Sequence, residues 1–207
     1  NAIQGYLEVT SCPVYKAKGN DTKCRSLLPA AIPRSPDTLT DKTRAMCNQW
    51  GFVSAEFPLG YDDILDQLQA VKKTMDRLKA SPNAAVQIAI QNNIAPFLPM
   101  DFLRQTVYDG LWRHSLIFSN VPGPPEPCLF AGKQATGLEM LFPNLIPQIG
   151  LISYGGNMFG NIVVDPTSMP NPELISPLFS RAFQRLAKRL GVECPPSVEQ
   201  HANTLNQ

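Results

Sequence analysis

Apolar residues return at helical spacing over residues 61–79, where Ile64, Leu65, Leu68, Val71, Met75 and Leu78 fall on one face. Asp62 and Asp63 stand at the start of this stretch, and Lys72, Lys73, Arg77 and Lys79 lie toward its end. That is the charge order a helix dipole favours. A second helix is expected to begin at Ser81, an N-cap hydroxyl followed by Pro82 at the first helical position, and to break at Pro96 and Pro99. A third piece is expected over 100–110. Alternation marks 51–59 as a strand, with Val53, Ala55 and Phe57 pointing one way and Phe52, Ser54 and Glu56 the other. Residues 26–33 read as a short strand ending at Pro33 and Arg34, and the polar stretch 34–48 reads as a loop.

Beyond Trp112 the pattern turns to β. Residues 115–119 form a short apolar run that stops in Asn120-Val121-Pro122-Gly123-Pro124-Pro125. Residues 148–154 and 158–165 make two strand-like runs joined by Gly155-Gly156-Asn157, residue types that tolerate positive φ and so suit a hairpin. Asn171-Pro172-Glu173 opens a last helix with Leu178, Phe179, Ala182, Phe183, Leu186 and Leu190 as its expected inner face. Pro177 lacks the N–H for the carbonyl four residues back, so a kink is expected there, or a restart capped by Ser176. Gly191 is the natural stop, and 192–207 is expected to be a loosely ordered tail.

Composition narrows the function classes. At 207 residues and 43% hydrophobic, the chain can bury a core as one domain or as one lobe of a larger protein. A net charge of +1 with scattered basic residues gives no stripe for nucleic acid; the densest cluster, Arg181, Arg185, Lys188 and Arg189, reads as a solvated helix face. Cys12, Cys24, Cys47, Cys128 and Cys194 show neither CxxC nor zinc spacing, and their odd number argues for reduced thiols. Residues 80–100 hold no charge, yet Pro82, Pro96 and Pro99 with Asn83, Gln87, Gln91, Asn92 and Asn93 exclude a membrane span. The stretch 80–112 suits a surface resting on lipid or on an acyl chain, and core packing accounts for it equally. Residues 115–172 hold only four charges, Glu126, Lys133, Glu139 and Asp165, as befits burial on both faces or an apolar pocket. The first residue is Asn1, not Met, so a piece of a longer product is expected.

No nucleophile elbow, metal motif or phosphate loop occurs in the sequence. His114 and His201 stand far apart without an acidic partner at a telling spacing. His201 is expected in solvent and His114 at a strand boundary. What remains is Ser119-Asn120 ahead of Pro122-Gly123-Pro124. A turn held by two prolines around a glycine keeps a hydroxyl and an amide at a strand end with little reorganisation, as oxyanion stabilisation requires. Capping of the turn by Asn120 is the plainer alternative.

Ser119-Asn120-Val121-Pro122-Gly123-Pro124, Leu129-Phe130-Ala131-Gly132, Gly150-Leu151-Ile152-Ser153-Tyr154-Gly155-Gly156 and Val164-Asp165-Pro166 occur in that order. Together they resemble the C-terminal signature of the wax ester synthase/diacylglycerol acyltransferase family of bacterial and plant type. Leu28-Pro29-Ala30-Ala31-Ile32-Pro33-Arg34 and Asn48-Gln49-Trp50-Gly51-Phe52 resemble it more loosely. The resemblance implies an α+β fold: the C-terminal lobe of a chloramphenicol acetyltransferase-like, CoA-dependent acyltransferase, with a mixed sheet backed by helices. Peptide-synthetase condensation domains share that architecture. The lobe is expected over 1–191, most strongly over 115–191.

The implied activity is transfer of a fatty acyl group from acyl-CoA to a long-chain alcohol or diacylglycerol. In the family the base is a histidine of an HHxxxDG motif in the N-terminal lobe, and this sequence has no consecutive histidines. No catalytic residue is therefore carried over. Ser119 and Asn120 become candidate oxyanion donors, and Pro122, Gly123, Pro124, Ser153, Tyr154 and Gly155 candidate substrate-binding residues. Ser153 and Tyr154 also suit a purely hairpin-shaping role. Arg34 suits a CoA phosphate or simple solvation. No metal and no cofactor are expected, with acyl-CoA entering as substrate. Expected partners are acyl-CoA, a lipid alcohol and the N-terminal lobe. The expected location is a cytoplasmic face, with peripheral contact to a membrane or lipid droplet left open. Two other readings stand beside this one: a non-catalytic acyl- or lipid-binding module of the same fold, and a condensation-type domain acting on carrier-protein thioesters.

Overall fold

The computed structural model describes residues 1–31, 36–43, 45–46 and 50–198, with only the backbone described at Asn20 and Leu39. In chain order the elements are α1 (Ala2–Val9), α2 (Pro13–Lys18), β1 (Lys23–Ala31), α3 (Pro36–Thr40), β2 (Trp50–Pro58), α4 (Ile64–Lys79), α5 (Asn83–Asn93), α6 (Met100–Trp112), β3 (Leu116–Val121), β4 (Leu129–Phe130), β5 (Lys133–Gln134), β6 (Gln148–Tyr154), β7 (Asn157–Val163) and α7 (Ile175–Leu190). The described residues divide into two compact units, those within 1–24, 56–76 and 164–198 in one and those within 25–55 and 77–163 in the other.

In the first unit α1 packs on α7, with Gly5 close enough that an added Cβ would lie 3.4 Å from Leu178. Tyr6 is buried and donates its hydroxyl to the Pro170 carbonyl; burial pushes its phenol above the ordinary range. Asp63 takes the N–H of Leu65 at 2.8 Å, so α4 begins after Asp62 and Asp63 rather than containing them. That bond, and then Arg189 at 2.9 Å, hold the Asp63 carboxyl below the usual carboxylate range. Leu68, expected on the inner face of α4, is exposed, and Gln67 is buried, its amide donating to the Pro58 carbonyl at 3.1 Å.

α7 is preceded by a 3-10 turn over Pro172–Leu174 and starts at Ile175. Pro177 therefore sits in the first turn, where its missing N–H would have had no intrahelical partner, and neither kink nor restart is needed. The buried face differs from the expected one in part: Ala182 is buried as expected, and Leu178 and Leu186 are half-buried. Ile175, Pro177, Ser180, Ala182 and Ala187 are buried, whereas Phe179, Phe183 and Leu190 are exposed. Gly191 ends α7 in the left-handed region, with Val192 donating to Ala187 and Gly191 to Lys188.

The second unit is built on a five-stranded sheet in the order β2-β1-β3-β6-β7. β1, β3 and β6 are parallel, and β7 returns antiparallel to β6. Leu27 of β1 and Ile117 of β3 are register partners and so share a face. They form the buried cluster with Leu111 of α6 and Ile146, and Phe52 packs against it. Phe52 was expected on the polar side of β2; it is instead turned to the core, with Trp50 edge-on to it at 5.0 Å.

α5 starts one residue later than expected, with Ser81 accepting the Asn83 N–H at 3.2 Å. β3 runs two residues further than its apolar run, because parallel pairing with β6 continues to Val121↔Ile152. β1 starts three residues early, at Lys23. The stretch expected to be a loop contains α3, for which Pro36 and Asp37 were the start signal. The expected strand end at Pro33 and Arg34, the Asn48-Gln49 match and His201 lie outside the described residues. Among the described residues no helix is long and apolar enough to cross a membrane.

Candidate functional site

Three parallel strands end on the same side of the sheet, and the chain segments that follow β3 and β6 meet there, the place where open parallel sheets commonly present their ligand-binding loops. Ser119 pairs in register with Gly150, Asn120 with Leu151 and Val121 with Ile152. Successive side chains on a strand point to opposite faces. Ser119 therefore shares the face of Ile117 and is buried, whereas Asn120 is on the other face and exposed. The two candidate donors cannot address one oxyanion together; a single site has to choose between them.

Past Val121 the turn is laced to the end of β6. The Gly123 N–H donates to Ser153 Oγ at 3.0 Å, and the Gly155 N–H donates to the Pro124 carbonyl at 3.1 Å. A Cβ on Gly123 would lie 2.1 Å from the Ser153 carbonyl oxygen, so glycine is required here by backbone approach. Gly155 and Gly156 have φ of +54° and +79°, the two positive values of a two-residue hairpin turn. The expected three-residue link is thus shortened by one, and Asn157 opens β7. Gly123, Pro124, Ser153 and Gly155 are brought together as one braced corner.

Tyr154 is placed inside. It is 3% exposed, and its hydroxyl accepts from the Cys128 N–H at 2.8 Å and donates to the Ala135 carbonyl at 2.9 Å. With Ala135 N–H on the Cys128 carbonyl at 3.0 Å, these bonds close the base of the small β4–β5 hairpin. The hairpin turns at Ala131 and Gly132, both at positive φ, and presents Leu129 and Phe130 largely to solvent. Tyr154 thus has both hydroxyl roles engaged within the protein.

His114 stands between α6 and β3. Its Nδ1 lies 2.6 Å from the Gly110 carbonyl, which only accepts, so Nδ1 carries the proton and Nε2 receives the Ser54 hydroxyl at 2.8 Å. Its lone pair is committed. Among the described residues no cluster of three or more His, Cys, Asp or Glu could hold a metal ion.

Gly150 pairs with Asn161 of β7, and Asn161 Nδ2 donates to the Met140 carbonyl at 2.7 Å. A Cβ on Gly150 would meet Asn161 Oδ1 at 2.8 Å and the Met140 carbonyl at 3.1 Å. The glycine admits the 135–147 segment onto the same face as Ser119; a lone glycine inside a strand was the available signal. Gly150→Ala should destabilise the chain by about 1–2 kcal/mol, because the nearest atom is a side-chain end that can shift in part. Urea unfolding checks it, and an unchanged midpoint would mean the segment is not held there.

A mixed sheet backed by helices is the architecture of the CoA-dependent acyltransferase-like fold. The solved wax ester synthase/diacylglycerol acyltransferase from Marinobacter aquaeolei VT8 matches it with a TM-score of 0.60 at 16% identity, over 92% of this chain and 41% of that one. More specifically, the chain belongs to the WS/DGAT C-terminal domain family, whose model matches residues 46–187. Wax ester synthase/diacylglycerol acyltransferase 11 from Arabidopsis thaliana is 26% identical over 150 residues, covering 69% of this chain and 30% of that protein. The chain spans less than half the length of either relative.

Proposed function

We propose that this chain is the C-terminal half of an O-acyltransferase that moves a fatty acyl group from acyl-CoA to a long-chain alcohol or diacylglycerol. The observation carrying this reading is membership of the WS/DGAT C-terminal domain family across the residues that build the braced corner. The base comes from elsewhere in the working enzyme, since the one described histidine has its Nε2 lone pair occupied by Ser54. An N-terminal lobe supplies the imidazole, which takes the acceptor hydroxyl proton as that oxygen attacks the thioester carbonyl. This chain supplies the facing wall. Ser119 and Asn120 form no side-chain hydrogen bond with the described residues, so either has a donor to offer the tetrahedral oxyanion. Residues 1–191 act as this lobe, and no cofactor beyond the acyl-CoA substrate is invoked.

The test is turnover in the longer protein with long-chain acyl-CoA and, separately, a long-chain alcohol and diacylglycerol as acceptors. Because Ser119 and Asn120 face opposite sides, one of Ser119→Ala and Asn120→Ala should lower kcat about 100-fold or more, the other only modestly. Full kcat in both variants would remove the oxyanion role. An absence of acyl transfer in the wild-type protein would favour a non-catalytic lipid-binding module instead.

A further inference from the structure

The imidazole that the acyl-transfer reading leaves unused is the middle of a chain of two hydrogen bonds. The Gly110 carbonyl lies 2.6 Å from His114 Nδ1, and Ser54 Oγ lies 2.8 Å from Nε2. With the ring proton on Nδ1, the Ser54 hydroxyl donates to the Nε2 lone pair. Hydroxyl, base and a group that orients the base are the parts of nucleophilic acyl chemistry, in that order. Ser54 belongs to β2, Gly110 to the last turn of α6 and His114 to the link before β3, all within the second unit. Ser54 is exposed and His114 half-buried, so the oxygen is open to an incoming carbonyl while the ring is held.

We propose that Ser54 and His114 form a second acyl site, a serine nucleophile with its base, acting on carboxylic esters that carry an apolar acyl group. Three features around the pair support this. The last carbonyls of α6 carry partial negative charge, and no basic residue lies in that turn, so the positive charge His114 takes up during the reaction is stabilised where it forms. Trp50 and Phe52 alternate with Ser54 along one face of β2, and Trp112, two residues before His114, is 71% exposed. Aromatic surface beside the hydroxyl suits an apolar acyl group. β2 is also the outer strand of its sheet, and an edge strand leaves alternate N–H groups without a strand partner, the kind of donor an acyl oxyanion needs. In the reaction, Ser54 Oγ attacks the ester carbonyl carbon as its proton passes to His114 Nε2. The carbon–oxygen bond to the alcohol breaks, and the alcohol leaves with that proton, so that the acyl group is now an ester of Ser54. Water then attacks, gives a proton to Nε2, and Ser54 Oγ takes it back as the carboxylic acid is released. The pair shares no residue with the corner at Ser119–Gly155 and is measured without acyl-CoA or an acceptor alcohol, so the failure of one reading leaves the other standing.

The experiment treats the 207-residue chain with a fluorophosphonate, which phosphonylates serines whose hydroxyl is activated, and maps the label by peptide mass spectrometry. One label per chain at Ser54 is expected, absent in Ser54→Ala and slowed about 100-fold or more in His114→Gln. p-Nitrophenyl butyrate should be hydrolysed with the same dependence, and an acid quench should trap a butyryl group on Ser54. Ser54→Ala removes only an exposed hydroxyl and should melt with wild type, which separates lost chemistry from lost fold. Because the label is mapped on the wild-type chain, the result also stands if His114→Gln is less stable. Labelling of no serine, or of a different serine, overturns the proposal. So does a His114→Gln chain labelled as fast as wild type, or an ester hydrolysed no faster by wild type than by Ser54→Ala; His114 is then only a cap on the end of α6.

Discussion

Gly123→Ala is expected to destabilise the chain by about 2–4 kcal/mol, the sum of overpacking strain and two lost hydrogen bonds. The added methyl would fall 2.1 Å from the Ser153 carbonyl oxygen and 3.1 Å from Ile152 Cγ1. The first of these is backbone in β6, whose pairing reaches Ile152 on the β3 side and Ser153 itself on the β7 side, so it yields little. The turn must move instead. It then loses the Gly123 N–H bond to Ser153 Oγ and the Gly155 N–H bond to the Pro124 carbonyl. Ser153→Ala removes only the first bond and introduces no clash, so it should cost about 1 kcal/mol. Urea unfolding of the two variants gives the comparison. If Gly123→Ala unfolds no earlier than Ser153→Ala, the corner is not braced by backbone approach. On the proposed acyl-transfer reading, Gly123→Ala should also lower turnover, since Ser119 and Asn120 lie directly upstream of the turn.

Tyr154→Phe is the second large effect, about 1–3 kcal/mol. The ring stays, with its tilted contact to Phe159 at 6.4 Å between centroids, so packing is preserved. Only the oxygen between the Cys128 N–H and the Ala135 carbonyl is lost. Removing it leaves a donor and an acceptor unpaired at a site where the ring is 3% exposed. Faster hydrogen exchange at the Cys128 amide, together with an earlier unfolding midpoint, is the expected signature of a tyrosine that locks the β4–β5 hairpin. A rise in KM with unchanged exchange and stability would instead place Tyr154 against substrate, as the family resemblance alone suggests for it.

Local signals carried much of this molecule. Ser81 with Pro82, the Gly155-Gly156 turn and Gly191 each act through the backbone of adjacent residues, so α5, the β6–β7 hairpin and the end of α7 were readable within a residue or two. The motif order from Ser119 to Asp165 also marked the family, because a motif series is a property of the chain alone.

Which face of an element meets the core was decided only in three dimensions. Alternation along β2 placed Phe52 with the polar residues, yet it packs on Leu27, Leu111, Ile117 and Ile146, because burial depends on what lies on each side of the strand. The same holds for α7, whose small residues are buried in place of Phe179 and Phe183, and for α5, where Ile88 turns in while Val86 and Ile90 turn out. The reason for glycine at 123 and 150, and the separation of Ser119 from Asn120, depend on register between strands distant in sequence. A single chain's spacing encodes which side chains share a face; only packing against other segments determines what that face meets.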